Sequence, residues 1–452
     1  MMARILFKDV EAIATFDPEE RELHGAWLLV EGNRIVALGE GSPPPGPFDE
    51  VIDGRDRAMI PGMVNTHHHL YQTLFRAVPG AQDKELFDWL LHLYERWRLI
   101  DEDAVHVSTA VGCMELLLSG CTTTTDHLYL FPRGRRNLID ITIEAAREVG
   151  IRFHPTRGSM SLSREEGGLP PPDVVQTEEE ILADSERLIR ERHDPSFGAM
   201  VRIALAPCSP FSVTPKLMRD TAALAREHGV LLHTHLAETL DEERYCLDRF
   251  GMRPVEYLEE VGWLAPDVWL AHLVHVSRED IVRLAKAGIG MAHCPSSNML
   301  LGSGIAPVPE MLSAGVNVGL AVDGAASNDT SNMIREARQA MLLSRVRYGA
   351  EAMSARTALR LATAGGAQVL HREGELGSIE PGKCADLALF DLSALAFAGA
   401  ADPVAALVHC GAQYADLVMV NGEIRVRGGE LVDARLYRYV PRQRALAARL
   451  VA

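Results

Sequence analysis

Five short stretches carry side chains able to do chemistry, and each follows an apolar run. Asn65-Thr66-His67-His68-His69 comes after Met59–Val64. Residues two apart in a strand share a face, so His67 and His69 point together and His68 points away. Two neutral imidazoles on one face are half of a metal site. His233-Thr234-His235-Leu236-Ala237-Glu238 ends the run Val230–Leu232. His233 and His235 also share a face, and spacing alone leaves either as the ligand. Glu238 stands just past the strand end, where a carboxylate either faces a metal-activated water or caps the next helix. Leu270-Ala271-His272 and Met291-Ala292-His293 each end in a lone histidine. Such a histidine is more often a core residue than a ligand, and His293 stands evenly between the two. His272 points to function, because a metal hydrolase needs a second polar group beside its water. Val322-Asp323-Gly324 ends the last run in a carboxylate that can complete a three-histidine, one-aspartate set and accept a proton from water. Capping of the following helix suits Asp329 or Ser331 better than Asp323, both being nearer the helical pattern.

Other chemistries lack their residues. Between Arg135 and Ala285 the only lysine is Lys216, in a helix-like stretch, so a two-metal site bridged by a modified lysine is disfavoured. The chain has no His-x-Glu with Pro-Cys-x-x-Cys, no His-Glu-x-x-His, no phosphate-binding P-loop and no Gly-x-Ser-x-Gly. Gly288-Ile289-Gly290 is too short to be a dinucleotide loop.

The elements that must position these groups alternate. The apolar runs Val201–Ala206, Val230–His235, Val268–His272, Ile289–His293 and Val316–Val322 are each followed by a longer charged stretch of helical pattern. Examples are Pro215–His228, Leu240–Phe250, Arg278–Ala287 and Asn332–Tyr348. Strands alternating with helices predict a parallel sheet, and about three hundred residues of it is the size of a (β/α)8 TIM barrel. Barrel active sites lie at the C-terminal ends of the strands, where these polar residues fall. Both chain ends are strand-like instead. Ala26–Val30 and Arg34–Leu38 flank Glu31-Gly32-Asn33, and Val51–Asp53 follows. Ala385–Asp391, Leu417–Val420 and Glu423–Val426 recur near the C-terminus, with the hairpin signal Asn421-Gly422. The expected organisation is residues 1–58 as the N-terminal part of a small β-sandwich, 59–372 as the barrel, and 373–452 as the C-terminal part of the sandwich and a tail.

With 45 basic against 62 acidic residues, the 452-residue chain carries a formal charge of −17. That argues against nucleic acid and against an anionic membrane surface as partners. No apolar run is long enough to span a bilayer, and MMARILFKDV lacks the apolar core of a secretory signal. Seven scattered cysteines without a Cys-x-x-Cys pair fit a reducing cytoplasm. The partner expected from the site is a small molecule. The oligomeric state is open.

Taken together, Pro61-Gly62-Met63-Val64-Asn65-Thr66-His67-His68-His69, His235-Leu236-Ala237-Glu238, His272, His293-Cys294-Pro295-Ser296-Ser297-Asn298, Asp323-Gly324 and Gly377-Ser378-Ile379-Glu380-Pro381-Gly382-Lys383-Cys384-Ala385-Asp386 resemble the amidohydrolase superfamily, in its deaminase/chlorohydrolase branch. The resemblance covers nearly the whole chain. It implies the barrel, the sandwich built from both termini, and one divalent metal per chain, usually zinc. Carried over residue by residue, it makes His67, His69, His235 and Asp323 the metal ligands and so chooses His235 over His233. It makes Glu238 the proton shuttle and His272 the histidine beside water and substrate. Glu238, His272 and Asp323 are then the catalytic set.

A narrower set of stretches is similar to the 8-oxoguanine deaminase group, which neighbours isocytosine deaminases and hydroxytriazine aminohydrolases. These are His69-Leu70-Tyr71-Gln72-Thr73-Leu74-Phe75-Arg76, Thr156-Arg157-Gly158-Ser159-Met160-Ser161, Gly168-Leu169-Pro170-Pro171, Pro207-Cys208-Ser209-Pro210-Phe211-Ser212-Val213 and Ser327-Asn328-Asp329. Phe75 and Ala325 depart from that pattern, which would have Thr and Ser there. The expected reaction is hydrolytic deamination of an amidine-like carbon in a nucleobase-like ring, with Gln72, Trp89, Arg157 and Cys208 as substrate-pocket candidates. A non-catalytic barrel is the remote alternative, disfavoured because every ligand position is filled.

Overall fold

The computed structural model describes residues 3–451. Its middle is a ring of eight parallel strands: β1 (Met63–Asn65), β2 (Cys121–Leu128), β3 (Arg152–Ser159), β4 (Ala204–Pro207), β5 (Leu232–Leu236), β6 (Val268–His272), β7 (Gly290–His293) and β8 (Asn317–Leu320). They are hydrogen-bonded in chain order from β1 to β8. The two ends of that order meet: Thr66 N donates to Leu320 O at 3.1 Å. Just beyond, His68-His69 pairs in parallel with Asp323-Gly324, His68 opposite Asp323. Closure of the barrel thus brings the first and last chemistry-bearing stretches side by side.

The helices Pro215–His228, Leu240–Phe250 and Arg278–Ala287 have the expected bounds because their start signals are local. Thr214 accepts from Leu217 N at 3.1 Å, with Pro215 preset for the first turn. Thr239 accepts from Glu242 N at 3.4 Å. Ser277 and Asp280 form a reciprocal capping box. The helix after Asp323 is Met333–Tyr348, capped by Asn332, which accepts from Arg335 N at 3.2 Å. Neither Asp329 nor Ser331 caps it. Asp329 accepts from Ala77 N at 2.6 Å, and Ser331 Oγ lies 3.0 Å from His68 Nε2.

Both termini build one nine-stranded sheet. Its order is Glu430–Leu431, Glu423–Arg427, Leu417–Val420, Leu387–Asp391, Arg57–Pro61, Arg4–Ala14, Glu22–Glu31 and Arg34–Glu40, with Glu50–Asp53 paired to Arg4–Ala14. Phe7, Leu28, Met59, Leu389 and Met419 meet in its core, so the β-sandwich holds residues from both chain ends. Asn421 and Gly422 have φ of 50° and 80°, the paired left-handed geometry of a two-residue hairpin turn. The expected 58/59 boundary falls inside the strand Arg57–Pro61; the chain leaves this sheet at Gly62 and enters β1 at Met63.

The two units are tied by a buried ion pair. Arg152 at the start of β3 donates from Nη2 to Asp386 Oδ2 at 2.8 Å, and both side chains are buried. The C-terminal helix Tyr439–Val451 packs on the barrel helix Glu102–Leu118. From it Gln443 Nε2 donates to Thr73 Oγ1 at 3.0 Å. Among the described residues no helix is long and apolar enough to cross a membrane.

Candidate active site

The strand-end groups converge at the C-terminal mouth of the barrel. His67 and His69 follow β1, His235 and Glu238 lie on and after β5, His272 ends β6, and Asp323 follows β8. All six are buried. His69 Nε2 lies 3.1 Å from His235 Nε2, and Asp323 Oδ1 lies 3.2 Å from His67 Nε2 and 3.4 Å from His69 Nε2. His272 Nε2 sits 3.5 Å from Glu238 Oε2 and 3.9 Å from Asp323 Oδ2.

Hydrogen bonds behind these rings fix which nitrogens carry protons. His69 Nδ1 donates to the His127 carbonyl at 2.7 Å, and His235 Nδ1 donates to the Cys208 carbonyl at 2.6 Å. A carbonyl only accepts, so in the neutral rings both Nε2 atoms bear lone pairs. These lone pairs face each other at 3.1 Å, with a carboxylate oxygen beside them. His67 Nε2 has no hydrogen-bond partner although it is buried. Lone pairs directed at one another in a buried place repel unless a cation lies among them. Burial pushes the His67 and His69 pKa values down and that of His235 down to about 3, which keeps the imidazoles neutral and ligating. Burial opposes the Asp323 charge, but the three histidines His67, His272 and His69 hold its carboxyl well below the usual range. Three neutral imidazoles and a carboxylate fit a divalent cation.

The backbone is bent to bring these groups together. Ala237, His272, Leu273 and Asp323 have φ of 53°, 78°, 45° and 63°, a left-handed conformation costing about 1–2 kcal/mol per residue. Strand-end hydrogen bonds hold it: Val274 N and His275 N both donate to Ala237 O at 2.9 Å, and Asp323 N donates to His67 O at 3.1 Å. Glu238 does not cap the next helix. The neighbouring Glu242 accepts from Ala237 N and Glu238 N, each at 2.8 Å, which leaves the Glu238 side chain facing the cavity. Burial pushes the Glu238 carboxyl up to about 7. For His272, burial works against a charge, while Glu238 and Asp323 outweigh it and raise its pKa. Asn298 Oδ1 accepts from His272 Nδ1 at 2.9 Å, and Ser297 Oγ donates to Asp323 Oδ2 at 2.6 Å.

A cavity opens onto these groups, lined by His69, His235, Glu238, His272 and Asp323 and walled by Leu86, Trp89, Leu90, Tyr94, Tyr129, Phe211 and Leu301. Three of the four pocket candidates line it: Gln72, Trp89 and Cys208. The Gln72 carboxamide lies against Gly324: a Cβ there would stand 1.9 Å from Gln72 Oε1 and push the carboxamide from its place. Burial pushes the Cys208 thiol up to about 12, so it stays neutral.

Arg157 lies apart from the other three candidates. It is absent from this wall; its guanidinium donates to Asp184 at 2.9 Å and Gln176 at 2.8 Å and lies over the Phe131 ring. Strand alternation turns it toward the outer helix Glu178–Arg192, where Asp184 sits. His293 stays outside the donor set, and its buried Nδ1 has no hydrogen-bond partner. Sequence reasoning missed Tyr94, Tyr129, Phe211 and the supporting His127. A signal existed for one wall: Leu86, Trp89, Leu90 and Tyr94 fall at i, i+3, i+4 and i+8 of the helix Leu86–Trp97 and so share a face.

The model of the amidohydrolase family matches residues 58–425. An 8-oxoguanine deaminase of Pseudomonas aeruginosa is 53% identical over 94% of this chain and 95% of its own. A hydroxydechloroatrazine ethylaminohydrolase of Pseudomonas sp. strain ADP is 37% identical over 95% of this chain and 92% of its own. Among solved structures, an atrazine chlorohydrolase from Arthrobacter aurescens TC1 complexed with zinc superposes with a TM-score of 0.94 at 37% identity, covering 98% of this chain and 100% of that one.

Proposed function

Because the chain belongs to the amidohydrolase family, we propose that it hydrolyses the exocyclic C–N bond of a nucleobase-like ring, converting 8-oxoguanine to uric acid and ammonia. The observation that carries the metal-dependent part is the set of lone pairs aimed at one another by His69, His235 and Asp323, with His67 beside them. These four residues would hold one zinc ion. When bound, such an ion supplies a Lewis acid that makes water a nucleophile near neutral pH. The substrate class rests on the aromatic cavity wall and on the similarity to the Pseudomonas aeruginosa enzyme. A reducing cytoplasm suits the seven free cysteines.

The chain's own residues divide the proton work. Glu238, with a carboxyl near 7, takes the first proton of the attacking water and gives it to a ring nitrogen, which makes the aminated carbon electrophilic. His272 and Asp323, 3.9 Å apart, orient the water and take its second proton, which goes to the departing amine. Gln72 lies against Gly324 and hydrogen-bonds the ring. Trp89 covers a ring face, and Cys208 lies at the edge where 8-oxoguanine differs from guanine.

Two measurements test the proposal. Elemental analysis of purified protein is expected to find about one divalent ion per chain, and a chelator is expected to abolish turnover. Two tightly held ions, or full activity after chelation, would overturn the metal assignment. Ammonia release across 8-oxoguanine, guanine, isocytosine, cytosine and hydroxytriazines then fixes the ring. In 8-oxoguanine C8 carries an oxygen and N7 becomes a donor, so polar groups matched to that edge are mismatched with guanine. The expected result is 8-oxoguanine far ahead of guanine, with isocytosine accepted because it carries the reacting half of the purine. A preference for guanine, or turnover of triazines alone, would rule out the 8-oxoguanine assignment and leave the aminohydrolase standing. The triazine arm is included because the ethylaminohydrolase of strain ADP is 37% identical.

A further inference from the structure

His67 is anchored differently from the other two imidazoles of the cluster. His69 and His235 are held through Nδ1 by backbone carbonyls, partners that no substitution removes. His67 Nδ1 instead meets a side chain, His233 Nε2, at 2.8 Å, and that contact alone could run in either direction. The next bond decides it. His233 Nδ1 lies 2.9 Å from the Trp269 carbonyl, which can only accept, so the proton of neutral His233 sits on Nδ1. His233 Nε2 then carries the lone pair, His67 Nδ1 donates to it, and His67 Nε2 is left bare toward Asp323 at 3.2 Å. The same tryptophan holds the ring itself. Its indole stacks on His233 with centroids 4.4 Å apart and planes at 16°. Its Nε1 donates at 3.0 Å to the carbonyl of Thr66, the residue before His67. His67, His233 and Trp269 are all buried, so solvent does not compete for these bonds.

We infer that His233, clamped by Trp269, is a positioning residue that sets the tautomer and orientation of His67 and thereby tightens metal binding, while touching neither metal nor substrate. This rests on the proposed ligand role of His67. A hydrogen-bond partner behind a ligand is typically worth about 10–100-fold in metal affinity.

The test compares zinc transfer from the holoenzyme to a chelator in three variants. His233→Phe keeps a ring but removes the acceptor. His233→Gln returns an acceptor oxygen near the position of Nε2. His67→Ala removes the ligand itself. Zinc affinity is expected to fall by at least about tenfold in His233→Phe, with KM near that of the unmutated enzyme, and to recover largely in His233→Gln. A folded His233→Phe that holds zinc as tightly as the unmutated protein overturns the inference, as does a His233→Gln no better than His233→Phe, or a second zinc per chain lost with His233. If His67→Ala also keeps its zinc, the ligand assignment has failed rather than the relay. Should His233→Phe not fold, imidazole 15N shifts of the unmutated protein decide. Protons on Nδ1 of both His67 and His233 support the relay, and a proton on His233 Nε2 overturns it.

Discussion

Glu238→Gln is expected to lower turnover by at least about a hundredfold while the metal content stays unchanged, the loss typical of removing a general acid–base group. Glutamine has the same length and keeps an acceptor for Ser303 Oγ, which lies 3.4 Å from Glu238 Oε1. The turn itself is held through the backbone, by Glu242 accepting from Glu238 N at 2.8 Å, so the substitution leaves the local fold intact. What it removes is a carboxyl whose pKa burial has brought to about 7. Such a group both accepts and returns a proton at neutral pH, and an amide does neither. Steady-state turnover with elemental analysis on the same sample reads both quantities. Loss of metal together with activity would show that the roles of shuttle and ligand have been exchanged.

The elements that were legible in the sequence are those whose signals are local. Helix starts at Thr214-Pro215 and Ser277 come from side chains bonding to backbone three residues on, and the hairpin at Asn421-Gly422 comes from two residues that tolerate positive φ. Strands β2 and β3 were not visible as apolar runs. Cys121–Leu128 is four threonines followed by Asp126 and His127, and Arg152–Ser159 holds two arginines and a histidine, yet both strands are buried throughout. Some of their polar groups find tertiary partners, such as the Ala206 carbonyl 3.0 Å from His127 Nε2 and Asp386 bonded to Arg152, while the hydroxyls of Thr122, Thr123 and Thr125 are buried without one.

The same distinction runs through the site. Period two placed His67 with His69 but could not separate His233 from His235, because both side chains enter the barrel. The difference lies in what each meets: His235 Nε2 faces His69 Nε2, whereas His233 Nε2 faces His67 Nδ1. Arg157 was a pocket candidate through the likeness of its stretch to the 8-oxoguanine deaminase group, and that likeness does not tell which way a side chain points: Arg157 meets Asp184 at 2.9 Å on the outer helix.

Asp323→Asn is expected to separate two functions that the carboxylate combines. Oδ1 lies 3.2 Å from His67 Nε2 and 3.4 Å from His69 Nε2, within the proposed donor set. Oδ2 accepts from Ser297 Oγ at 2.6 Å and faces His272 Nε2 at 3.9 Å, on the side where water would be oriented. Asparagine fits the space and tolerates the φ of 63° found here, so the strand-end turn survives the change. It removes the negative charge that balances the cation and the group that takes the second proton. Zinc affinity should therefore fall by at least about tenfold, the lower bound of what even a ligand's outer partner costs. Raising zinc until the site is full should restore occupancy and leave turnover at least about a hundredfold low, since proton acceptance is still missing. The measurement is a zinc titration followed by turnover at saturation. Full recovery of turnover on filling the site would reduce Asp323 to a ligand and leave the second proton to His272 alone.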